Sequence, residues 1–388
     1  MTVHPGPARS RVGTHRQAWA EVDLAAIRAN AALLAELAAP AQLCAVVKAW
    51  AYGHGPVEVA EAALDGGATW LAVALVEEGR HLRDAGIAAP ILLLSEPPAD
   101  AMAEVVRSRL TPTLYTPGGI EALADAASAA GGDPIAVHVK VDTGMHRVGA
   151  APADAVALAR QVAAHPRLEL DALWTHFAVA DEPADATTGE QLASLLATAE
   201  RLVGDGIAPR LLHAANSAGA LFHPATRLDL VRCGIALYGL APAASVADRP
   251  PCSALQPALS LAAQVSHTKT VEAGERLSYG LRYRVATRTV VATVPLGYAD
   301  GVTRLLSSTG GQVLIGGRRH PIAGTVTMDQ ILVDCGPDAD VATGDVAVLL
   351  GRQGDQEITA WEWAERVNSI AYEVVCGVSS RVPRVYRR

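Results

Sequence analysis

The stretch LCAVVKAW, residues 43–50, sets the first structural expectation for this chain. It is a short apolar run rich in valine, and turn-prone residues bound it. Such a run is typical of a parallel strand that is buried on both faces. A helix is expected just before it, over residues 23–37, because apolar residues recur there at helical spacing behind Asp23, which can cap the helix.

Similar strand-like runs follow at regular intervals and alternate with helical stretches, as over residues 57–66 and 76–85. Seven further runs lie at 70–76, 91–96, 111–116, 136–143, 168–177, 209–216 and 228–239. This alternation predicts a parallel sheet with right-handed crossovers, and eight strands in roughly 230 residues match a (β/α)8 barrel. A doubly wound sheet fits the count nearly as well, but the absence of a G-x-G-x-x-G motif after any strand weakens its dinucleotide-binding form.

The pattern changes near Pro250 and Pro251. Beyond them, short β-rich segments are separated by Gly, Pro and Asp at about ten-residue intervals, which is typical of an all-β domain. One helix is expected there, over residues 359–368. We therefore predict an α/β fold with a flexible tail (1–16), an N-terminal (β/α)8 TIM barrel (17–250) and a C-terminal mostly-β domain (251–388). A short strand over residues 17–23 could pair with the β domain.

Composition narrows the function classes. The 388 residues carry a net charge of −8, which argues against nucleic-acid and anionic membrane partners. No apolar run approaches the roughly 18–20 residues of a membrane span, and residues 1–16 lack the apolar core of a secretory signal. The five scattered cysteines suit a reducing compartment. We expect a cytoplasmic protein without a metal site.

Barrel enzymes carry their reacting groups at the carboxyl ends of the strands. Polar residues expected at those ends are Lys48, Asp142, Arg147, His176, Asn216, Ser217, Arg232 and Gly234. A charged ammonium is costly in an apolar strand, so Lys48 either extends to water, pairs with an anion, or is neutral because it forms an imine. The loop after it, Tyr52-Gly53-His54-Gly55, is polar and flexible and suits the close approach of a phosphate.

The segment VVKAWAYGHG resembles the cofactor-lysine motif of the alanine racemases, and the similarity extends over nearly the whole chain after residue 17. Further motifs follow in the family's order: KVDTGMHRVG (140–149), THFAVADE (175–182), HAANS (213–217), VRCGIALYG (231–239), LSYG (277–280), GYADG (297–301) and TVTMDQ (325–330). The resemblance implies a pyridoxal-phosphate-dependent racemase that interconverts L- and D-alanine. It also implies a homodimer with shared active sites and a supply of D-alanine for cell-wall precursors.

The resemblance assigns the cofactor-binding residues one by one. Lys48 matches the lysine that holds the cofactor covalently, and His176 matches a histidine that lies against the cofactor ring. Arg232 matches an arginine that faces the pyridine nitrogen, although its residue type alone would also suit a phosphate or carboxylate clamp. An arginine only donates, so the ring nitrogen it meets is unprotonated and the ring withdraws electrons less strongly. Four positions match the phosphate site: Tyr52, Ser217, Gly234 and Ile235.

Racemisation needs proton exchange on both faces of the alpha carbon, and two opposed groups meet this need. The resemblance assigns one face to Lys48 and the other to Tyr298, which comes from the partner subunit and needs positive neighbours to lower its reference pKa of about 10. Arg147 matches the arginine that binds the substrate carboxylate with its planar fork. Met328 matches a position that contacts substrate through its backbone. Lys140 matches a lysine that some members carry as a carbamate.

Three positions depart from the family pattern. Trp50 stands where a polar residue is usual, Thr327 replaces a frequent cysteine, and Ser380 falls where many members have a tyrosine. A racemase for serine or basic amino acids therefore remains an alternative. A decarboxylase of the same fold type is disfavoured because that class normally places an acid where Arg232 stands. A non-catalytic cofactor-binding protein is disfavoured by Tyr298 and by the second domain.

Overall fold

The computed structural model describes residues 15–388, so the tail predicted over residues 1–16 lies outside it apart from His15 and Arg16. The described chain divides into two compact units. The α/β unit comprises residues 26–51 and 56–255, and the strand-rich unit comprises residues 15–25, 52–55 and 256–388. The first strand, β1 (Ala18–Asp23), belongs to the strand-rich unit, and helix α1 (Leu24–Ala38) leads from it into the α/β unit.

The α/β unit is built on parallel strands that form two sheets. They are β2 (Gln42–Val46), β3 (Trp70–Val73), β4 (Ile91–Leu93), β5 (Thr113–Leu114), β6 (Ile135–Lys140), β7 (Leu168–Trp174), β8 (Leu211–His213) and β9 (Leu230–Cys233). The sheet orders are β4-β3-β2-β9 and β5-β6-β7-β8. Backbone hydrogen bonds join the two sheets at both margins, from Leu93 N to Thr111 O (2.9 Å) and from Asp229 N to Leu212 O (3.1 Å). Each of the strands expected between residues 43 and 239 is present, and the predicted α/β class is confirmed.

Helices alternate with these strands because each presents an apolar face to the sheet. In α1 the spacing seen in the sequence corresponds to a buried face, on which Ile27 and Leu34 are fully buried. The remaining helices of this region are α3 (Pro56–Asp65), α4 (Val76–Asp84), α5 (Met102–Arg107), α6 (Pro117–Ala130), α7 (Pro152–Ala164), α8 (Thr187–Gly204) and α9 (Ser217–Phe222). The short element α2 (Lys48–Tyr52) is a left-handed turn, and its last residue belongs to the strand-rich unit. Across residues 15–388, we find no helix with the length and apolar character needed to cross a membrane.

The strand-rich unit contains one large sheet and smaller ones. Its further strands are β10 (Leu259–Gln264), β11 (His267–Val271), β12 (Arg276–Leu277), β13 (Tyr283–Arg284), β14 (Thr289–Val294), β15 (Gln312–Ile315), β16 (Arg318–Pro321), β17 (Ile331–Asp334), β18 (Val346–Gln353), β19 (Gln356–Ile358) and β20 (Arg384–Arg387). The large sheet has the order β16-β15-β18-β10-β1-β20, with β19 paired to β18. Strand β1 therefore pairs with strands of the C-terminal segment, antiparallel to β10 and parallel to β20. The helices α10 (Ala360–Val367) and α11 (Ala371–Cys376) follow β19.

Candidate active site

Lys48 lies in an unusual backbone segment. Strand β2 ends at Val46, so the strand predicted over residues 43–50 stops early, and α2 is a left-handed turn with φ of 52°, 57° and 50° at Ala49, Trp50 and Ala51. Left-handed backbone costs about 1–2 kcal/mol per residue with a side chain, so neighbouring groups must stabilise it. The carboxylate of Glu78 accepts the N–H of Ala49 at 2.6 Å. Glu78 lies in α4, so this helix helps to fix the backbone that carries Lys48. The side chain of Lys48 is half-buried.

Arg232 is buried in β9 and its guanidinium has fixed partners. Nη1 lies 2.8 Å from Nδ1 of His213, and Nη2 donates to the carbonyls of Thr175 (2.8 Å) and Ala214 (2.9 Å). The Nε is buried and has no hydrogen-bond partner within residues 15–388. Burial lowers the pKa of Arg232 to about 10, which leaves the side chain cationic near neutral pH. The result is a fixed cationic donor whose Nε–H has no acceptor among the described residues.

His176 lies two residues beyond β7 and is half-buried. Its Nδ1 lies 3.3 Å from Nη2 of Arg232. Burial, followed by the nearby cations Arg232 and Lys140, lowers the pKa of His176 well below 6.5. The imidazole is therefore neutral near pH 7.

Lys140 ends β6 and is buried. Its Nζ lies 4.3 Å from the ring centroid of Trp174, and the Cζ of Arg232 lies 4.4 Å from the same centroid. Burial lowers the pKa of Lys140 to about 7, and the charges of Arg232 and Arg147 act in the same direction. A substantial fraction of this amine is neutral at neutral pH, and neutral amines are nucleophilic.

Arg147 lies on the loop after β6, where it is exposed. The carboxylate of Asp142 accepts the N–H groups of Gly144 and His146, each at 3.0 Å, and so shapes the start of this loop. An exposed guanidinium on a shaped loop can bind a planar carboxylate from solution.

Ser217 links the chain segments after β8 and β9. Its Oγ accepts the N–H of Gly234 at 3.0 Å and the N–H of Ala236 at 3.4 Å. Ile235, which is buried, lies between these two residues. A hydroxyl and several backbone N–H groups therefore gather at one place, an arrangement that suits a phosphate.

Tyr298 and Met328 lie in the strand-rich unit. Tyr298 opens a short turn and is 44% exposed, and the N–H of Ala299 donates to the carbonyl of Met328 at 3.1 Å. Asp300, which is fully buried, ion-pairs with Arg16 at 2.6 Å and anchors this turn. An open pocket of about 900 Å³ adjoins it, lined by Tyr279, Tyr298, Arg304 and residues 325–330.

Tyr52 also belongs to the strand-rich unit, where it is buried. The next residue, Gly53, has φ of +82°, and a Cβ there would lie 2.3 Å from the carbonyl oxygen of Val375. Only glycine fits this position. The carbonyl of Gly53 accepts a hydrogen bond from Nε of Arg384 at 2.8 Å.

The structure thus gathers one group of the predicted site residues at the strand ends of the α/β unit: Lys48, Lys140, Arg147, His176, Ser217, Arg232, Gly234 and Ile235. The others, Tyr52, Tyr298 and Met328, belong to the strand-rich unit. Of the positions that depart from the family pattern, Trp50 is exposed and stacks on His81, with ring centroids 5.6 Å apart. Ser380 is exposed.

Sequence reasoning did not identify the residues behind Arg232. His213, His138, Asp171 and Trp174 are all buried, and none of them was singled out. A usable signal was present in β6, since His138 and Lys140 are two residues apart and therefore share one face of an otherwise apolar strand.

Comparisons with known proteins point to one family over nearly the whole chain. Residues 22–242 match the family described as "Alanine racemase, N-terminal domain", and residues 258–386 match "Alanine racemase, C-terminal domain". The chain is 46% identical over 371 residues to an alanine racemase of Symbiobacterium thermophilum, with 96% of this chain and 97% of that protein covered.

Two solved structures are also similar. A crystal structure of alanine racemase from D-cycloserine-producing Streptomyces lavendulae aligns with a TM-score of 0.90 at 39% identity and covers 97% of this chain and 98% of that one. The crystal structure of alanine racemase from Bacillus anthracis with bound L-Ala-P aligns with a TM-score of 0.90 at 38% identity and covers 97% and 96% of the two chains.

Proposed function

Because this chain belongs to the alanine racemase family, we propose that it interconverts L- and D-alanine with pyridoxal 5′-phosphate as its cofactor. The observation that carries the proposal is the buried, fixed guanidinium of Arg232, whose Nε has no acceptor within residues 15–388. The unprotonated nitrogen of a pyridine ring is a suitable acceptor for that N–H.

The residues at the strand ends fit the polar parts of pyridoxal phosphate. The amine of Lys48 suits the aldehyde, the Nε–H of Arg232 suits the ring nitrogen, and the hydroxyl of Ser217 with the N–H of Ile235 suits the phosphate. The family resemblance adds Tyr52 and Gly234 to the phosphate site, and Gly234 also positions Ser217 by donating its N–H to Oγ. His176 would lie against the ring. When bound, the cofactor accepts electron density from the bond between the alpha carbon and its proton.

The chain's own residues would move the proton. The amine of Lys48 serves one face of the alpha carbon and the phenol of Tyr298 serves the other. Arg147 binds the substrate carboxylate with its fork, and the backbone of Met328 contacts the substrate. Because Arg232 only donates, it would pair with an unprotonated ring nitrogen, and the weaker electron withdrawal of such a ring would limit side reactions.

The proposed enzyme is a homodimer in which Tyr298 and Met328 act in the active site of the partner subunit. The exposure of apolar side chains that line the same pocket as Tyr298 supports this assembly, since Tyr279 is 74% exposed and Met328 53%. Exposed apolar side chains that lie together often serve an interface.

The proposed substrate is alanine, and the proposed role is the supply of D-alanine for cell-wall precursors in the cytoplasm. A racemase with a broader range of amino acids is the second candidate. It is favoured by Ser380, whose side chain is small and exposed where many members of the family have a tyrosine.

A chiral assay of L-alanine with the wild-type protein, Lys48→Ala and Tyr298→Phe tests the function. The wild type should form D-alanine, and Lys48→Ala should lose both racemisation and the absorbance of the covalently bound cofactor. Tyr298→Phe should keep that absorbance and racemise at least about a hundredfold more slowly, because it lacks one proton-transfer group. A fully active Tyr298→Phe variant would refute the assignment. Assays with L-serine in parallel separate the two substrate ranges.

Lys140 is the proposed site of carbamate formation. Its neutral amine would attack carbon dioxide, forming an N–C bond and releasing one proton. The product would place a negative charge among the cations Arg147, Arg232 and Lys48, all of which lower the pKa of the unmodified amine.

A further inference from the structure

A buried row of three side chains, Asp171, His138 and His213, runs behind Arg232. Nδ1 of His213 lies 2.8 Å from Nη1 of Arg232, and Nε2 of His213 lies 3.0 Å from Nδ1 of His138. Nε2 of His138 in turn lies 3.0 Å from the carboxylate of Asp171. Arg210, which is exposed, caps the outer end by binding both oxygens of Asp171 at 2.6 and 3.0 Å.

The chemistry at the two ends of this buried row fixes every proton within it. Burial lowers the pKa of His138 and of His213, so both imidazoles are neutral, with one donor and one acceptor nitrogen each. Arg232 can only donate, so Nδ1 of His213 accepts and Nε2 carries the proton. His138 then accepts at Nδ1 and donates from Nε2 to Asp171. Arg232 and Asp171 therefore require the same direction of hydrogen bonding, in which each group donates toward Asp171.

Asp171 is the hydrogen-bond acceptor at the end of this row, and it is ionised. Burial alone would raise its pKa, but hydrogen bonds from His138 and Arg210 outweigh that effect and lower the pKa. The carboxylate is therefore ionised near pH 7. Hydrogen bonds in such a chain polarise one another, so the negative charge strengthens the hold of His213 on Arg232.

Aromatic contacts keep the two rings in place. Trp174 stacks on His213 with centroids 5.2 Å apart and an interplanar angle of 11°. Trp70 packs against His138 with centroids 5.4 Å apart. In the opposite tautomer, His213 would present an N–H to another N–H of Arg232 at 2.8 Å, and the guanidinium would have to move.

We propose that Asp171, His138 and His213 are positioning residues that hold the guanidinium of Arg232 in the one orientation that offers its Nε–H to the cofactor ring, an inference that rests on the proposed function. Nη1 is bound to His213 and Nη2 to two carbonyls, and the buried Nε is the guanidinium nitrogen that has no hydrogen-bond partner among residues 15–388. The buried row thereby sets the geometry of the hydrogen bond that keeps the ring nitrogen unprotonated.

Neutron diffraction from crystals of the deuterium-exchanged wild-type holoenzyme tests the proton arrangement directly. Deuterium is expected on Nε2 of both His138 and His213 and on neither Nδ1. Deuterium on Nδ1 of His213, or on both nitrogens of either ring, would overturn the proposal. This measurement does not depend on which amino acid the enzyme racemises.

The variant Asp171→Asn tests the consequence, with Arg210→Gln as its matched control. An amide at position 171 has the same shape as the carboxylate, but it can donate as well as accept. It therefore no longer requires Nε2 of His138 to be the donor. In Asp171→Asn, kcat should fall about tenfold while KM for L-alanine changes less than about twofold, as expected for the loss of one charge-assisted hydrogen bond. The absorbance band of the bound cofactor should shift as well.

Arg210→Gln keeps the carboxylate and its hydrogen bond from His138, so kcat and the cofactor band should change much less than they do in Asp171→Asn. An equal loss of kcat in the two variants, or an unchanged cofactor band in Asp171→Asn, would reduce the buried row to a purely structural role. A wild-type protein that fails to racemise alanine would refute the proposed function. The band shift in Asp171→Asn would still report on the buried row in that case.

Discussion

The side chains around Trp174 illustrate how burial changes the chemistry of a single residue. Lys140 and Arg232 both lie against this ring, and both are buried, yet they respond differently. The pKa of Arg232 falls only to about 10, so it stays a cation, whereas the pKa of Lys140 falls to about 7. A buried lysine can thus exchange its proton for another group, and a buried arginine cannot.

Carbamylation of Lys140 is the prediction that follows at this level. Native mass measurement in bicarbonate buffer should show an increase of one carbon dioxide per chain for the wild type and none for Lys140→Arg. Kinetically, Lys140→Met should raise KM for L-alanine by about tenfold, because Arg147 would lose an anionic partner. A wild-type mass equal to that of the plain amine, under conditions that preserve carbamates, would contradict the prediction.

The sequence indicated candidate site residues, but it did not indicate which buried residues hold them in place. Lys48 and Arg232 stand out because charged side chains are rare in and just after apolar strands. Arg147 stands out because it lies in the motif KVDTGMHRVG. His138 and Asp171 do not stand out, because a lone buried histidine or aspartate reads as an ordinary satisfied core residue. Their connection depends on contacts between β6, β7 and β8, which are distant in sequence, and only the fold brings them together.

Among the secondary-structure elements, α2 is where sequence reasoning failed. The run Ala45–Trp50 is uniformly apolar except for Lys48, and an apolar run does not distinguish a longer strand from a strand that ends in a turn. The left-handed turn contains no glycine over residues 48–52, so no local signal announced it. It persists because tertiary hydrogen bonds, above all the one from Ala49 to Glu78, stabilise it.

Glu78 should therefore support both α4 and the turn that carries Lys48. Its carboxylate accepts N–H groups from Ala49 (2.6 Å), Ala74 (2.8 Å) and Leu75 (3.1 Å). Glu78→Ala should lower the free energy of unfolding by about 1–3 kcal/mol and weaken cofactor binding, because these donors would lose a charged acceptor. Chemical denaturation and cofactor titration measure the two effects.

Glu77→Ala is the control for that experiment, since Glu77 is the exposed neighbour in the same turn of α4. Removing it should change the free energy of unfolding by less than about 0.5 kcal/mol. Equal effects from the Glu77 and Glu78 variants would contradict a special role for Glu78.

For the whole molecule, the alternation of strands and helices predicted the α/β class and each strand between residues 43 and 239. That prediction succeeded because parallel strands that are buried on both faces appear as short apolar runs, and the helices between them show apolar residues at helical spacing. The pairing of β1 with β10 and β20 joins segments more than two hundred residues apart. The strand AWAEVD carries no local signal that would identify these partners.

The central claim is that Lys48 of one subunit and Tyr298 of the other serve opposite faces of one substrate, and a hybrid dimer tests it. Lys48→Ala and Tyr298→Phe should each be nearly inactive alone. When they are mixed in equal amounts and allowed to exchange subunits, half of the dimers become hybrids with one intact shared site. The mixture should then reach about a quarter of the wild-type racemisation rate.

The control replaces Tyr298→Phe with the double variant Lys48→Ala/Tyr298→Phe, which cannot complete a site with Lys48→Ala. Formation of D-alanine from L-alanine, followed by chiral chromatography after subunit exchange, is the measurement. Recovery of activity only in the complementing mixture is the predicted result. A complementing mixture no more active than the sum of its two components would contradict the shared site.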